Sequence, residues 1–168
     1  MILVTVGTHS MPFDRLLTAV DRAHATGVLG DHKLVVQSGS CRYACTNARQ
    51  FAYCSAKELD DLLMQADVVI SHGGIGTLLP AVRLKKHVIA IPRLQRYGEH
   101  YNDHQVEVCR ALARQGVLLS SEDEKDLGHL LTHDPSALAT FDLESTIVDD
   151  IRNELRAFAE SIAHRRRR

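Results

Sequence analysis

Short continuous apolar runs alternate with stretches of helical periodicity along this chain, and that alternation constrains its fold more than any other feature. Residues 1–6, 33–37, 66–71, 87–91 and 117–119 are too short for buried helices. They also lack the every-other-residue polarity of half-exposed strands. Such runs read as strands covered on both faces, the condition of a parallel sheet. Residues 51–54 are a weaker strand candidate, placed third in chain order. After Pro12, the residues Phe13, Leu16, Leu17, Val20 and Ala23 fall on one helical stripe. Ser55 followed by Glu58 is the signature of a capping box, opening a helix that runs to residue 65. Helices are also expected over 77–85, from about residue 100 to 115 with Gly116 as the residue past its end, from near 121, and from about 145 to the end.

Strands that alternate with helices predict an α/β domain, a doubly wound parallel sheet of the Rossmann-like kind. Right-handed crossovers favour the strand order 3-2-1-4-5-6. The 168 residues suit one domain, with 145–168 as a C-terminal helix and basic tail. Ile147, Ile151, Leu155, Phe158 and Ile162 give that helix an apolar stripe, for a partner subunit or for the domain's own sheet. Arg165 to Arg168 form a basic end, read either as a solvated terminus or as a contact with an anionic bilayer.

Composition closes off several function classes. A net charge of -1 supplies no basic field for nucleic acid. No window holds 18 continuous apolar residues, so no membrane span is expected, and the N-terminus lacks the marks of a signal peptide. Cys41, Cys45, Cys54 and Cys109 include no CxxC pair and read as reduced thiols of a cytoplasmic protein.

In a sheet of this order, ligands bind beyond the carboxyl ends of strands 1 and 4, where the winding reverses. Three segments reach that place. In Ser71-His72-Gly73-Gly74-Ile75-Gly76-Thr77, glycines let the backbone approach a ligand, and the N–H groups at the start of the next helix favour an anion such as a diphosphate. A ligand-free turn is the alternative. It is neither a P-loop, since no Gly-Lys-Ser/Thr follows, nor a dinucleotide fingerprint, since the loop after strand 1 has one glycine. In Gly7-Thr8-His9-Ser10, Thr8 and Ser10 offer hydroxyls, unless Ser10 simply caps the following helix. The polar segment from Tyr97 to Gln105 could hold sugar and ribose hydroxyls. A solvated helix start is the competing reading, and a metal site from His100 and His104 is set aside for want of a third ligand.

Residues 4–8, 13–17 and 19–21, then the segment from Ala66 to Thr77, resemble the glycosyltransferase family 28 C-terminal domain. Pro92-Arg93-Leu94, Tyr97-Gly98-Glu99-His100 and Asn102-Asp103-His104-Gln105 are similar to small bacterial exopolysaccharide subunits. Those subunits are related to the catalytic subunit of the two-subunit enzyme that adds the second N-acetylglucosamine to dolichol-linked sugar. The resemblance covers roughly residues 1 to 120. It implies the C-terminal half of a GT-B hexosyltransferase, a UDP-sugar donor, and neither metal nor other cofactor. It further implies a lipid-linked acceptor and a separate membrane-associated subunit that binds it, so that this chain would work at the inner membrane face. Thr8, Gly73, Gly74, Ile75, Gly76 and Thr77 would hold the donor diphosphate. Phe51, Ala52 and Tyr53 would meet uracil and ribose, and Asn102, Asp103, His104 and Gln105 the donor sugar. The base would sit on the partner, with His9 as a weaker candidate here.

The chain departs from the family at one telling position. Pro80 stands where the family carries a ribose-binding Glu, in what reads as the first turn of a helix. Glu99 is the candidate substitute. The same departure motivates an alternative, a non-catalytic subunit that activates a partner transferase. A stand-alone nucleotide-sugar enzyme is a third class; it would need both halves of the cleft in one chain or in a homodimer.

Overall fold

The computed structural model describes residues 1–138. Its six strands are β1 (Ile2–Thr5), β2 (Leu34–Gln37), β3 (Ala48–Phe51), β4 (Val68–Ser71), β5 (His87–Ala90) and β6 (Leu119–Ser120). All pairings are parallel and the order is β3-β2-β1-β4-β5-β6, the doubly wound arrangement expected. The helices are α1 (Asp14–Ala25), α2 (Ala56–Gln65), α3 (Ile75–Arg83), α4 (His104–Arg114) and α5 (Leu127–Leu131).

Two apolar layers explain why the strands are apolar throughout. Side chains alternate across a strand. Leu3, Val35, Val69 and Val88 therefore pack under α2, α3 and α4, against Leu63, Leu78, Val82 and Leu112. Ile2, Val4, Val36, Ile70 and Ile89 point the other way, against Phe13, Leu16, Leu17 and Val20 of α1 and its N-terminal flank, and Leu127 of α5. Burying each Leu or Val side chain contributes about 1.5–3 kcal/mol, so the two layers are the main source of stability.

Several boundaries move. The third strand is Ala48–Phe51 rather than 51–54, because its register is set by backbone pairing with Leu34–Gln37 and not by its own mixed side chains. The chain at 52–54 runs on past the strand end. Helix α3 starts at Ile75, two residues early, with Gly74 extended as its N-cap. Pro80 thus lies in the second turn, not the first, and its missing N–H leaves the Gly76 carbonyl without its helical donor. Strand β6 starts at Leu119 rather than 117. The helix expected near 121 is a short 3-10 turn at Glu124–Asp126 leading into α5. The N-cap of α1 is Phe13, so Ser10 does not cap it. The Ser55–Glu58 capping box is present in both directions. The expected helix over 145–168 and its stripe lie outside the described residues.

Candidate functional site

The central strands β1 and β4 end side by side, Thr5 opposite Ser71. A cleft of about 210 Å³ opens beyond them. Gly7 and Thr8 wall it from the β1 loop, Gln37 from the end of β2, Cys54 and Leu59 from the α2 side, and His72, Gly74, Gly76 and Thr77 from the β4 loop.

Gln37 is the floor of the cleft, and its two ends are fully used. Its Oε1 accepts the Thr5 hydroxyl at 2.7 Å and the Gly7 N–H at 3.1 Å. Its Nε2 donates to the carbonyls of Gly7 (3.0 Å) and Ala52 (2.7 Å). One buried amide thereby fixes the β1 loop relative to the end of β3. Sequence reading missed it, since a glutamine at the end of an apolar strand carries no motif.

His72, also absent from the sequence-derived site, is the central side chain. A β-carbon on Gly7 would stand 2.4 Å from its Nε2, and one on Gly74 2.2 Å. Only glycine at both positions leaves room for the imidazole. Gly7, at a φ of 75°, needs glycine for its backbone as well. Burial, with the cation of Arg93 nearby, pushes the His72 pKa down to about 4, so the ring is neutral at pH 7.

The glycine loop is partly committed to its own structure. The Gly73 N–H donates to Gln105 Oε1 at 3.1 Å, and the Thr77 N–H to the Gly74 carbonyl at 3.0 Å. The amides of Gly74, Ile75 and Gly76 have no carbonyl partner among the described residues, as the first turn of a helix requires. The amides left free of carbonyl partners are thus fewer than the expected Gly73–Thr77 run: three, with Thr8 and Thr77 on the cleft wall.

A second cluster lies beside the cleft. The His9 and His100 rings are 4.7 Å apart, His100 and His104 4.6 Å, and His9 and Tyr101 5.3 Å. Burial first, then the charge of neighbouring rings or of Arg93, lowers the pKa of all three histidines. The Nδ1 of His9 accepts the Met11 N–H at 3.1 Å, and that of His100 the Asn102 N–H at 3.3 Å. Each neutral ring then carries its proton on Nε2. His9, expected as a weak candidate base, is arranged as a donor instead: its one lone pair is already taken.

Other expected residues are placed as follows. Glu99 does not face a ribose. It is buried, with Oε1 and Oε2 held by Arg15 at 2.9 and 2.8 Å and Oε2 also accepting the Leu94 N–H at 2.9 Å. Gln105 is 4% exposed, and its Oε1 also accepts the Arg93 N–H at 3.1 Å, so it braces two loops. Asp103 accepts the Gln95 N–H, and Asn102 Oδ1 contacts the His104 backbone and ring. The carbonyls of Phe51 and Ala52 are taken by Ser38, Gly39 and Gln37. Of that segment Cys54 lines the cleft, and Tyr53 is 56% exposed. Arg93 is fully buried and donates to the carbonyls of Val6, Met11 and Glu99, which ties the β1 loop to the β5 loop.

A doubly wound parallel sheet with an amide-lined cleft at its switch point defines the α/β class whose ligands bind at that reversal. The chain belongs to the glycosyltransferase family 28 C-terminal domain family, whose model matches residues 1–164. It is 30% identical over 140 residues to the UDP-N-acetylglucosamine transferase subunit ALG13 of Yarrowia lipolytica, covering 77% of this chain and 69% of that protein. It is 28% identical over 125 residues to the human subunit of the same name, covering 70% of this chain but 10% of that protein. Among solved structures it resembles the glycotransferase of kitacinnamycin, with a TM-score of 0.57 and 20% identity, over 93% of this chain and 38% of that one. The glycosyltransferase SnogD from Streptomyces nogalater gives a TM-score of 0.55 at 21% identity, over 92% and 38%. The sheet is that of one half of a GT-B glycosyltransferase, and the chain spans well under half the length of these solved enzymes.

Proposed function

We propose that this domain is the donor-binding subunit of a two-component, UDP-sugar-dependent hexosyltransferase. The observation that carries the reading is the cleft in which Gly7 and Gly74 clear space for His72 beside the unpartnered amides of Gly74, Ile75 and Gly76. Fixed N–H dipoles at a helix start suit a diphosphate, and in sugar transfer that group is the leaving group whose charge grows in the transition state. Such a cleft needs no nucleophile of its own. Tyr53 and the chain beside it are the side from which uracil would be met, and Thr8 and Thr77 flank the diphosphate. Asn102 and His104 are the candidates to meet the donor sugar.

The acceptor half belongs, in this reading, to a separate membrane-associated subunit that supplies the base and holds a lipid-linked acceptor. Relatives that are themselves named as subunits support that division. The product would serve polysaccharide assembly, at the inner membrane face. Donor binding is expected without a metal. The test is a UDP titration of the isolated chain by calorimetry in chelator, then UDP release over a donor panel with and without the partner. No UDP binding, alone or in complex, refutes the reading.

Pro80 favours a second reading, a non-catalytic subunit that activates its partner, because it supplies no carboxylate where the family binds ribose, and Glu99 is committed to Arg15. If complex activity survives Gly74→Val, this second reading holds and the first fails.

A further inference from the structure

Ser71 ends β4, is fully buried, and its hydroxyl has one hydrogen-bond partner among the described residues, the Nδ1 of His72 at 3.3 Å. The same Nδ1 lies 3.4 Å from the carbonyl oxygen of Thr5. These neighbours ask opposite things of the ring. A carbonyl only accepts, so Thr5 calls for a proton on Nδ1. A hydroxyl can donate or accept, but Ser71 has no other acceptor for its own hydrogen. A protonated Nδ1 would strand that hydrogen inside the core, which proteins avoid. The Thr5 oxygen, in contrast, is already satisfied by the backbone N–H of His72 at 3.2 Å. Ser71 and Nδ1 are both satisfied within the core only if Ser71 donates to Nδ1, which puts the ring proton on Nε2, on a residue that lines the cleft.

We propose that Ser71 is a positioning residue that holds His72 as the neutral Nε2–H tautomer, so that the imidazole donates a hydrogen bond into the cleft, to a diphosphate, without becoming charged. This rests on the UDP-sugar reading above and deepens it. The Nε2 is the ring atom pressed between Gly7 and Gly74, and it has no hydrogen-bond partner among the described residues. The charged and titratable groups that act on the ring are Arg93 from the β5 loop, His100 from the segment before α4 and His9 from the β1 loop. All three disfavour a second proton, and none is a carboxylate. A neutral donor keeps its hydrogen bond over the whole range above pH 5. It also adds no fixed charge that would hold the leaving diphosphate after transfer.

The test is nitrogen-15 NMR of the full chain at pH 7.5, with the His72 signals assigned by their loss in His72→Gln. Imidazole nitrogen shifts separate the two neutral tautomers and the cation. The free protein is expected to show His72 with its proton on Nε2, and UDP to shift that nitrogen while leaving the ring neutral. Ser71→Ala is expected to move the proton to Nδ1, against Thr5, and to weaken UDP binding about tenfold. Ser71→Thr is expected to restore both. A wild-type ring protonated on Nδ1, or an imidazolium in the UDP complex, overturns the proposal, as does a Ser71→Ala protein with unchanged shifts and affinity. If wild type does not bind UDP, the donor-binding reading falls with the functional half of this inference. The free-chain spectrum still decides whether Ser71 sets the tautomer.

Discussion

Arg15 and Glu99 meet in a two-point ion pair, Nε to Oε1 at 2.9 Å and Nη2 to Oε2 at 2.8 Å, across 84 positions of sequence. Arg15 also reaches Glu124 at 3.0 Å and the carbonyls of Pro92 and Glu122. One guanidinium on α1 thus gathers the loops after β5 and β6, and it explains why a conspicuous acidic residue near the cleft is not a ligand residue. Both side chains are largely buried. Removing Arg15 leaves the buried Glu99 carboxylate without its cation, which costs about 3–5 kcal/mol, whereas Arg15 without Glu99 keeps its contact with Glu124. Arg15→Ala is expected to lower stability by that order in urea unfolding, and Glu99→Ala by less. A double replacement by Met and Leu is expected to lose less than Arg15→Ala alone.

The ring of His72 depends on two missing β-carbons. Gly74→Ala places a methyl 2.2 Å from Nε2, so the ring must leave its slot. UDP affinity is expected to fall by at least about tenfold, measured by calorimetry. Gly76→Ala is the contrast for stability: nothing lies within 4 Å of its β-carbon, and it sits in the first turn of α3. It is expected to raise stability by about 0.5–1 kcal/mol, whereas Gly74→Ala is not.

Acid should unfold this protein partly through His72. Its folded pKa of about 4 lies below the ordinary 6.5 of the unfolded chain. The neutral ring therefore contributes stability that is fully present above pH 6.5 and is lost as pH falls from 6.5 to about 4, amounting to about 3 kcal/mol. Denaturation midpoints across that window are expected to fall less steeply in His72→Gln than in wild type.

Gln37→Glu replaces an amide donor by an oxygen facing the carbonyls of Gly7 and Ala52, which now lie 3.0 and 2.7 Å from Nε2. The carboxylate is disfavoured there, so the introduced acid has a folded pKa above its unfolded value. The variant is expected to be less stable than wild type by about 2 kcal/mol at pH 7. The deficit should shrink as pH falls through the range in which the acid protonates, read by thermal melts against wild type.

Strand count, strand order and the place of the cleft were legible in the sequence because each depends on local pattern. Apolar runs such as 1–6 and 66–71 can be satisfied only between two helical layers, and alternation with helices leaves few topologies. Glycines at a strand end likewise mark a turn that a ligand can approach. The edges were less legible: β3 takes its register from β2, and α3 begins where Gly74 turns extended, two residues before the periodicity shows.

Periodicity and short motifs are enough to specify a doubly wound sheet, its switch-point loops and the family they resemble. The pairing of side chains follows instead from how the loops pack. Glu99 went to Arg15, Gln105 to the Gly73 amide, and the His9 lone pair to Met11. Gln37 and His72 became the floor and wall of the cleft. Hydrogen-bond partners far apart in sequence compete for the same polar groups, and which partner wins is fixed only when the loops are folded against one another.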